Sequence, residues 1–579
     1  MRKRRIWVFA LIGLLITAAA ATAAYHHEGE NDADRFLEIY PDKAGTKLDH
    51  CALCHSGGEY EKKPDVIVEL GSCQWCHRTY GYDGSGNILE TLNTYGMAYR
   101  TNGSSTAAVT AIDNLDSDAD GYTNREEILA GRFPGDAEDH PGLAAAPYRI
   151  YTKAQLMALG GHAQFMLMNT SRSGDFYAQY TGVAVKDLLD DAGVLSTATG
   201  IRVYAPDGWS QYHPMEYDAG LDMYHVYGNA PGESWQYPPA TYYFKTEADE
   251  AENPAYGWCD YSAPSCAGRT HGDSIHVDGG LKAILAYSRE SAPLEPGVLS
   301  DENKLDGEGP FRVVVPQKFV GPPDQSSKAD YQPEEWAYNS DWDHNAGSCT
   351  RSATIVKVEP LPSGTTDISV LEAGWNYVDQ EKIILYGAID GTDSNGNGIL
   401  DSEEGTDATS DLDADSIPDY LDPDTASPRH AKGTDHIRIH TSAGQFAAVN
   451  CMAENEPGLP SDGLPSGAFP YGVTGFKITG LAPNAQVTLT LEFPSNVPAS
   501  ASYYKVDSAG QWVAIPHTAG DNARQMRIQL TDGDPTTDSD GTADGTISDP
   551  GGMVVPQDSG SDSSGGGSGG CFISTLRRF

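Results

Sequence analysis

Positive charge is scarce in this chain of 579 residues. Lys and Arg number 38 against 82 Asp and Glu, which gives a formal net charge of -44 at pH 7. A chain this acidic repels a phosphate backbone, so nucleic acid is excluded as a partner. The imbalance is typical of a protein that binds cations or keeps a strongly hydrated surface, and outside the cytoplasm we expect the cation to be calcium.

Long apolar runs are also scarce. The sequence has one near its start, where a basic segment (residues 2–5) precedes the apolar residues 6–20 and the small residues 21–24. This order is typical of a secretory signal peptide, and an uncleaved leader is the alternative. No later run is long enough to cross a bilayer. We therefore expect an exported protein, periplasmic or at the outer cell surface, with no transmembrane segment after the signal peptide.

Length and shifts in composition predict a multidomain protein. A small, mainly α module follows the signal peptide, and a mixed α+β domain, an acidic connector, a β-sandwich and a Gly/Ser-rich tail come after it. In the α+β domain we expect a helix at 185–192 and strands at 201–205, 240–245 and 311–315. In the sandwich we expect strands at 436–440, 475–478, 486–493, 503–506 and 526–530. The predicted segments are 1–24, 25–145, 146–362, 363–425, 426–552 and 553–579.

Two CxxCH motifs hold four of the nine cysteines. In such a motif two thiols bind the vinyl groups of one porphyrin, and the next histidine ligates the iron. The motifs therefore predict two covalent haems c. A zinc site or a pair of disulfides is the alternative, but neither needs a histidine directly after each CxxC. The residues are Cys51, Cys54 and His55, then Cys73, Cys76 and His77.

The second axial ligand of each haem has four candidates. His26, His27 and His50 lie near the first motif, and Met97 follows the second. We favour histidine at both irons, because three histidines are available before the first haem; a methionine would raise the potential.

Three acidic segments carry oxygen ligands at positions 1, 3, 5, 9 and 12 of a twelve-residue loop. Such a loop binds Ca²⁺ in an EF-hand, with a backbone carbonyl at position 7. A solvated acidic turn is the alternative for the first. The later two lie in a stretch, 390–424, with twelve acidic residues and no Lys or Arg, which calcium would turn into a stiff spacer. The predicted ligands are Asp116, Asp118, Asp120, Tyr122, Asn124 and Glu127; Asp393, Asn395, Asn397, Asp401 and Glu404; and Asp411, Asp413, Asp415, Asp419 and Asp422.

Five cysteines remain outside the CxxCH motifs. Cys259 and Cys266 are close enough to form a small disulfide loop in an oxidising compartment, and Cys349 with Cys451 is a second candidate pair. Cys571 stands alone in the glycine-rich tail.

The chain as a whole resembles exported bacterial dihaem proteins that carry a GEGP motif, here residues 307–310, and its later acidic repeats resemble thrombospondin type 3 repeats. The sandwich is similar to the domain called choice-of-anchor U through residues 503–505, Trp512 and 547–552. Residues 569–575 at the end of the chain are similar to a CFI-box sorting or processing signal.

The middle domain resembles the molybdopterin-binding domain of sulfite-oxidase-type enzymes at residues 180–194, 207–209 and 309–316. That family ligates molybdenum through a cysteine, which we expect near 165–170, yet there is no cysteine between Cys76 and Cys259. The domain is therefore interpreted as a fold relative that has lost the cofactor. His213, His225, His271 and His276 are candidates for a different site.

These patterns favour an exported dihaem cytochrome, stabilised by calcium, that acts as an electron carrier rather than a catalyst. Its partners would be redox proteins or an extracellular electron acceptor. The alternatives are a molybdopterin-dependent oxidoreductase with a fused dihaem acceptor, or a surface adhesion or structural protein.

Overall fold

A computed structural model of the chain describes residues 31–43, 46–48, 59–63, 66–69, 92–170, 174–206, 209–216, 224–226, 241–245, 259–299, 305–318, 322–323, 343–368, 374–456 and 458–556. Several sequence predictions fall outside these residues. They are the signal peptide, Cys571 in the tail, the predicted distal ligands His26, His27 and His50, and both haem motifs with Cys51, Cys54, His55, Cys73, Cys76 and His77.

The described residues are mainly β-sheet. Their helices are short, and none has the length and apolar composition needed to span a membrane. The helices are α1 (Asn31–Ile39), α2 (Thr94–Thr101), α3 (Thr106–Ile112), α4 (Asn124–Leu129), α5 (Lys153–Leu159), α6 (Val185–Asp191), α7 (Gly374–Asp379) and α8 (Asp401–Glu404). The strands up to the middle of the chain are β1 (Glu59–Lys63), β2 (Val66–Glu69), β3 (Ala144–Ala145), β4 (Tyr148–Thr152), β5 (His162–Met168), β6 (Phe176–Ala184), β7 (Gly200–Tyr204), β8 (Ser210–Pro214), β9 (Thr241–Tyr243), β10 (Ser274–His276), β11 (Ile284–Arg289), β12 (Ala292–Pro293), β13 (Val298–Leu299), β14 (Leu305–Asp306) and β15 (Arg312–Val314). The later strands are β16 (Ile355–Glu359), β17 (Thr365–Thr366), β18 (Lys382–Gly387), β19 (Thr425–Ala426), β20 (Arg438–Thr441), β21 (Gln445–Met452), β22 (Val473–Thr479), β23 (Gln486–Glu492), β24 (Ser502–Val506), β25 (Trp512–Ile515), β26 (His517–Ala519), β27 (Gln525–Thr531) and β28 (Ile547–Val554).

Helices α1 to α4 share one apolar core. Asn93 and Ser105 cap α2 and α3, because their side-chain oxygens accept hydrogen bonds from free backbone N–H groups of the first turn. The core includes Leu48 and Tyr95, which lie on either side of the segment 49–91. Both flanks of the segment that carries the CxxCH motifs are therefore fixed in the same core.

A buried ion pair connects the part of the chain that contains α1 to α4 with the strands that follow it. Lys47 Nζ lies 2.6 Å from Asp139 Oδ2, both side chains are at most 5% exposed, and the ammonium also lies over the Phe133 ring. Asp139 accepts further hydrogen bonds from the Phe133 backbone N–H and the Thr366 hydroxyl. Because Thr366 lies in β17, which pairs with β3, one carboxylate joins three parts of the chain.

Residues 148–389 hold two five-stranded sheets. The first runs β12-β11-β6-β5 with β15 also on β11, and the second runs β4-β18-β16-β7-β8. Strands β16 and β18 are parallel, with α7 between them in the chain, whereas the other pairs in these sheets are antiparallel. Residues of both sheets and of α6 fill one core. This part is β-rich, with short helices at its margins.

The C-terminal part is a β-sandwich. Its sheets run β19-β20-β23-β27-β26 and β21-β22-β28-β24-β25. Alternate residues of each strand face inward, so Leu489, Leu491 and Ile528 of one sheet meet Ile478 and Tyr503 of the other in a common core.

The acidic part of the predicted connector, residues 390–424, packs on this sandwich instead of forming a separate spacer, whereas β18, also within the predicted connector, belongs to the second middle sheet. Ile399 enters the sandwich core, and β19 directly follows the acidic segment and pairs with β20. Arg438 of β20 donates from Nε to Asp419 at 2.8 Å. An apolar side chain and a basic partner from a distant strand therefore hold the connector in place.

Cys259 and Cys266 lie in one buried cluster around Phe244, as their predicted pairing requires. Cys266 nevertheless carries a free thiol, so the disulfide between them is not formed in this structure. Cys349 and Cys451 belong to different cores and are also free thiols. Pairing of Cys259 with Cys266 in an oxidising compartment stays a prediction.

We predict that Asp139→Ala lowers the free energy of unfolding by about 3–5 kcal/mol, because it leaves the buried Lys47 ammonium without its counter-charge. Urea unfolding followed by circular dichroism measures the change. Asp42→Ala is the control, since Asp42 is 63% exposed in its pair with Lys43 and its loss should cost at most about 0.5 kcal/mol. Equal effects of the two substitutions would contradict the role of Asp139.

Candidate metal centres

Three acidic loops have the same backbone fold. We call them loop A (residues 116–127), loop B (393–404) and loop C (411–422), and number positions 1 to 12 from the first Asp of each. Positions 4 and 6 have positive φ in every loop, although loop C has Ala and Ser there, where the left-handed conformation costs about 1–2 kcal/mol per residue. The residues are Ala119 and Gly121, Gly396 and Gly398, and Ala414 and Ser416.

Side-chain oxygens hold this curled backbone. The position 1 carboxylate accepts a hydrogen bond from the N–H of position 6 at 3.1, 2.9 and 3.0 Å in loops A, B and C. The side chain of position 5 accepts from the N–H of position 7 at 2.8, 2.8 and 2.7 Å. These bonds hold the side-chain oxygens of positions 1 and 5 on the inside of the loop.

Position 9 closes each loop. Its side-chain oxygen accepts from the N–H of position 2 at 3.2, 2.8 and 2.8 Å, and its own N–H donates at 2.8 Å to the residue before position 1. In loop A the Asn124 amide also donates to the Ile112 carbonyl, which ties the loop to α3. Asn124, Asp401 and Asp419 were predicted as ligands, but the structure shows their side chains closing the loops.

Loop A gathers carboxylate oxygens that form no ion pair with a basic side chain of the described residues. One oxygen each of Asp116, Asp118 and Asp120 lies within 4.8 Å of the others. Glu127, at position 12 in α4, is fully buried, and within the described part of the chain neither of its carboxylate oxygens has a hydrogen-bond partner. Burial, reinforced by Asp118, Asp120 and Asp116, raises the pKa of Glu127 from 4.5 to about 9. A hard cation is the kind of ligand that this set of oxygens fits.

The short helix α4 presents Glu127 to the loop. Thr123 caps α4 through a capping box with Glu126, so Glu126 is turned toward the helix start while the next residue points inward. The remaining predicted ligand, Tyr122, would use its backbone carbonyl. The Tyr122 N–H is bonded to Asp120, and its ring stacks on His140.

Loop C has a similar oxygen cluster, shared with strand β20. Asp411, Asp413 and Asp415 each place a carboxylate oxygen within 4.8 Å of the others, and Asp413 forms a second such group with Asp424 and His440. Burial, with Asp424 adding, raises the pKa of Asp422 at position 12 to about 6. Loop C therefore also concentrates negative charge where a cation would relieve it.

Loop B replaces two carboxylates by amides. The side-chain amides of Asn395 and Asn397 donate to Glu404 at 3.2 and 2.8 Å, and the Ser427 N–H donates at 2.7 Å. Burial still raises the pKa of Glu404 to about 7, and these hydrogen bonds oppose the rise. Loop B therefore satisfies its position 12 carboxylate internally, which loop A does not.

The other predicted site residues are dispersed. Met97 is 47% exposed on α2. His213 and His225 are buried in the middle part, whereas His271 and His276 are exposed, and none of these four joins a three-residue metal-binding group in the described part of the chain. The histidine site considered from the sequence therefore has no support in this geometry.

Comparison of the chain with known protein families and with curated proteins found no match. The family resemblances stay predictions, and the three loops are argued from their own geometry.

We predict that Glu127→Gln removes one Ca²⁺ from the number that the protein binds, because the amide supplies one neutral oxygen where the carboxylate supplies two charged ones. Isothermal titration of the chelator-treated chain with calcium measures the stoichiometry. Glu138→Gln, an exposed acid outside the loop, is the control and should leave the stoichiometry unchanged. Identical titrations of the two variants would exclude loop A as a calcium site.

Burial of His213 predicts an acid-sensitive stability. Its Nδ1 lies 2.9 Å from the Tyr224 carbonyl, and burial lowers the pKa of His213 from 6.5 to about 4. The folded state therefore favours the neutral ring, and its stability is complete above pH 6.5 and falls as the pH drops toward 4. One extra proton bound by the unfolded chain lowers the free energy of unfolding by at most about 1.4 kcal/mol for each pH unit of the decrease.

We therefore expect His213→Gln to lose less stability than the parent chain between pH 6.5 and 4. Urea unfolding at several pH values gives the slopes. His276→Gln serves as the control because its ring is exposed. A slope for His213→Gln as steep as that of the parent would show that another group controls the acid response.

Proposed function

We propose that this chain is an exported dihaem c-type cytochrome that carries electrons and is stabilised by calcium. The two CxxCH motifs, at 51–55 and 73–77, are the observation that carries the proposal. Bound covalently there, haem would supply one-electron redox chemistry, with His55 and His77 as its iron ligands.

The anchoring of the flanking residues supports this function. Lys47 and Leu48 are buried just before the first motif, and Asn93 and Tyr95 are buried after the second. These flanks share one core, so the two ends of the motif-bearing segment lie in the same part of the fold. Two haems attached there would be held at a limited separation, as rapid exchange of electrons requires.

Loop A packs against the same apolar core. Ile128, the neighbour of Glu127, belongs to the core that holds Leu48 and Tyr95, and Tyr40 of that core donates a hydrogen bond to Asp113 at 2.6 Å. Calcium in loop A would neutralise the buried Glu127 and fix α4 against this core. We propose that the cation stabilises the haem-bearing module and has no catalytic role.

The molybdopterin alternative fits the structure poorly. The expected ligand segment, 165–170, includes the end of β5 and holds no cysteine. Cys349 is connected to this segment by hydrogen bonds, because its thiol donates to the Asn345 carbonyl at 3.4 Å and Asn345 in turn accepts from the Asn169 N–H. Cys259 and Cys266 pack in one buried cluster with Phe165 and Leu167 of the same segment. Burial raises the pKa of Cys349, so the thiol is protonated in this structure.

The experiment is purification of the full chain from a host that matures c-type cytochromes, followed by haem quantification. We expect two haems per chain and one in a Cys51→Ala, Cys54→Ala double variant. Cys266→Ala, which removes a free thiol elsewhere, should keep both haems. Zinc in place of iron, or no bound haem, would overturn the proposal.

A further inference from the structure

Lys505 and Asp549 face each other inside the C-terminal sandwich. Both side chains are fully buried, and Lys505 Nζ lies 3.4 Å from Asp549 Oδ1. The residues belong to neighbouring strands, since Lys505 of β24 pairs with Gly551 of β28, two positions from Asp549. They share the inward face with Tyr503 and Met553, which lie in the sandwich core.

The pair is poorly built as an ion pair. A charge-assisted N–H···O bond is typically about 2.7–2.9 Å, and this contact is longer. Among the described residues, neither carboxylate oxygen of Asp549 has a hydrogen-bond partner. Besides Asp549, Lys505 reaches the Ser539 hydroxyl, again at 3.4 Å. Two buried charges with so few hydrogen bonds cost several kcal/mol per ion.

A second buried lysine pair shows the contrast. Lys47 and Asp139 meet at 2.6 Å, and Asp139 accepts two more hydrogen bonds. That pair has the contacts that a stable buried ion pair requires, and the pair in the sandwich does not.

The surroundings favour the neutral carboxylic acid at Asp549. Burial raises the pKa of Asp549 to about 7, Lys505 opposes the rise, and Asp538 adds to it. Asp538 is itself buried and fixed, because its two oxygens accept from the N–H groups of Gly533 and Ser548. A neutral acid next to an amine, with water excluded, is the pair of reactants from which an amide forms.

We propose that Lys505 and Asp549 condense into an intramolecular amide cross-link. The ammonium first passes a proton to the carboxylate, which leaves a neutral amine and a neutral acid. The Lys505 nitrogen then attacks the Asp549 carboxyl carbon, a C–N bond forms and a C–O bond breaks. One water molecule leaves with the carboxyl oxygen and two hydrogens, one of which came from the amine nitrogen. No oxidant, reductant or further reactant is needed.

The fold favours this condensation by positioning the two groups and by excluding water from them. The strand pairing holds the Lys505 nitrogen 3.4 Å from a carboxylate oxygen of Asp549, which replaces an unfavourable bimolecular encounter. The product is a neutral amide, so condensation removes two buried charges from the sandwich. The cross-link would join β24 to the last strand, β28, and would close the whole segment between them. The proposal is independent of haem and of calcium.

Trypsin digestion of the denatured full chain, followed by mass spectrometry, tests the proposal. A cross-linked Lys505 resists trypsin, so we expect peptide 478–524 joined to peptide 528–577, at their summed mass less one water. In Lys505→Arg and in Asp549→Ala the joined species should be absent. Each variant also shows cleavage after residue 505.

Lys477→Arg is the matched control. Lys477 is exposed on β22 and pairs with Ser548, beside Asp549, so its replacement should leave the joined peptide in place. Complete cleavage after Lys505 in the parent chain, denatured after it has folded, with peptide 528–577 at its unmodified mass, would overturn the cross-link and leave an ion pair only. The parent chain alone decides this, whether or not the variants fold.

Discussion

The shortage of positive charge is the constraint on which the rest of the structure depends. With 38 basic residues for 82 acidic ones, most carboxylates must find water, a backbone N–H group or a cation. The described residues place several of the few basic groups at junctions between parts of the chain, each beside a carboxylate that is largely buried. These pairs are Lys47–Asp139, Arg149–Asp191, Lys382–Glu456 and Arg438–Asp419. Loops A and C have few basic side chains near them among the described residues, and their carboxylate oxygens lie within 4.8 Å of one another.

Asp191 shows how one junction joins three parts of the chain. Arg149 of β4 approaches it to 3.2 Å, and Arg429, close to the sandwich, approaches it to 2.8 Å. Glu403 of loop B lies 3.8 Å from Arg149 in the same group. Loop B is therefore wedged between the middle sheets and the sandwich. A change in the conformation of loop B would therefore disturb both neighbours. Loop A instead contacts the helices near the start of the chain, through the hydrogen bond from Asn124 to the Ile112 carbonyl of α3.

Local patterns in the sequence predicted local structure well. The helix expected at 185–192 is α6, and the strand expected at 486–493 is β23. Both could be predicted because the spacing of apolar residues within a short segment indicates which residues of a helix or strand are buried. The docking of the connector was missed, since its partner Arg438 comes from a separate strand. The closing role of position 9 was also missed, because an Asn or Asp side chain is equally able to ligate a metal or to accept a backbone N–H. No local pattern could pair Lys505 with Asp549, whose contact depends on strand order.

The three loops differ in the partners that surround the carboxylate at position 12. We therefore expect the stability of the three loops to depend on a bound cation to different degrees. Loop B gives Glu404 three neutral hydrogen-bond donors, so its fold is largely satisfied without added charge. In loop A, Glu127 is surrounded by other carboxylates and, within the described residues, has no donor. Loop C is intermediate, because His440 lies within 4 Å of Asp413 in the loop and of Asp424 just after it. The residues that flank the CxxCH motifs thus share a core with the loop whose position 12 carboxylate is least compensated by the described residues.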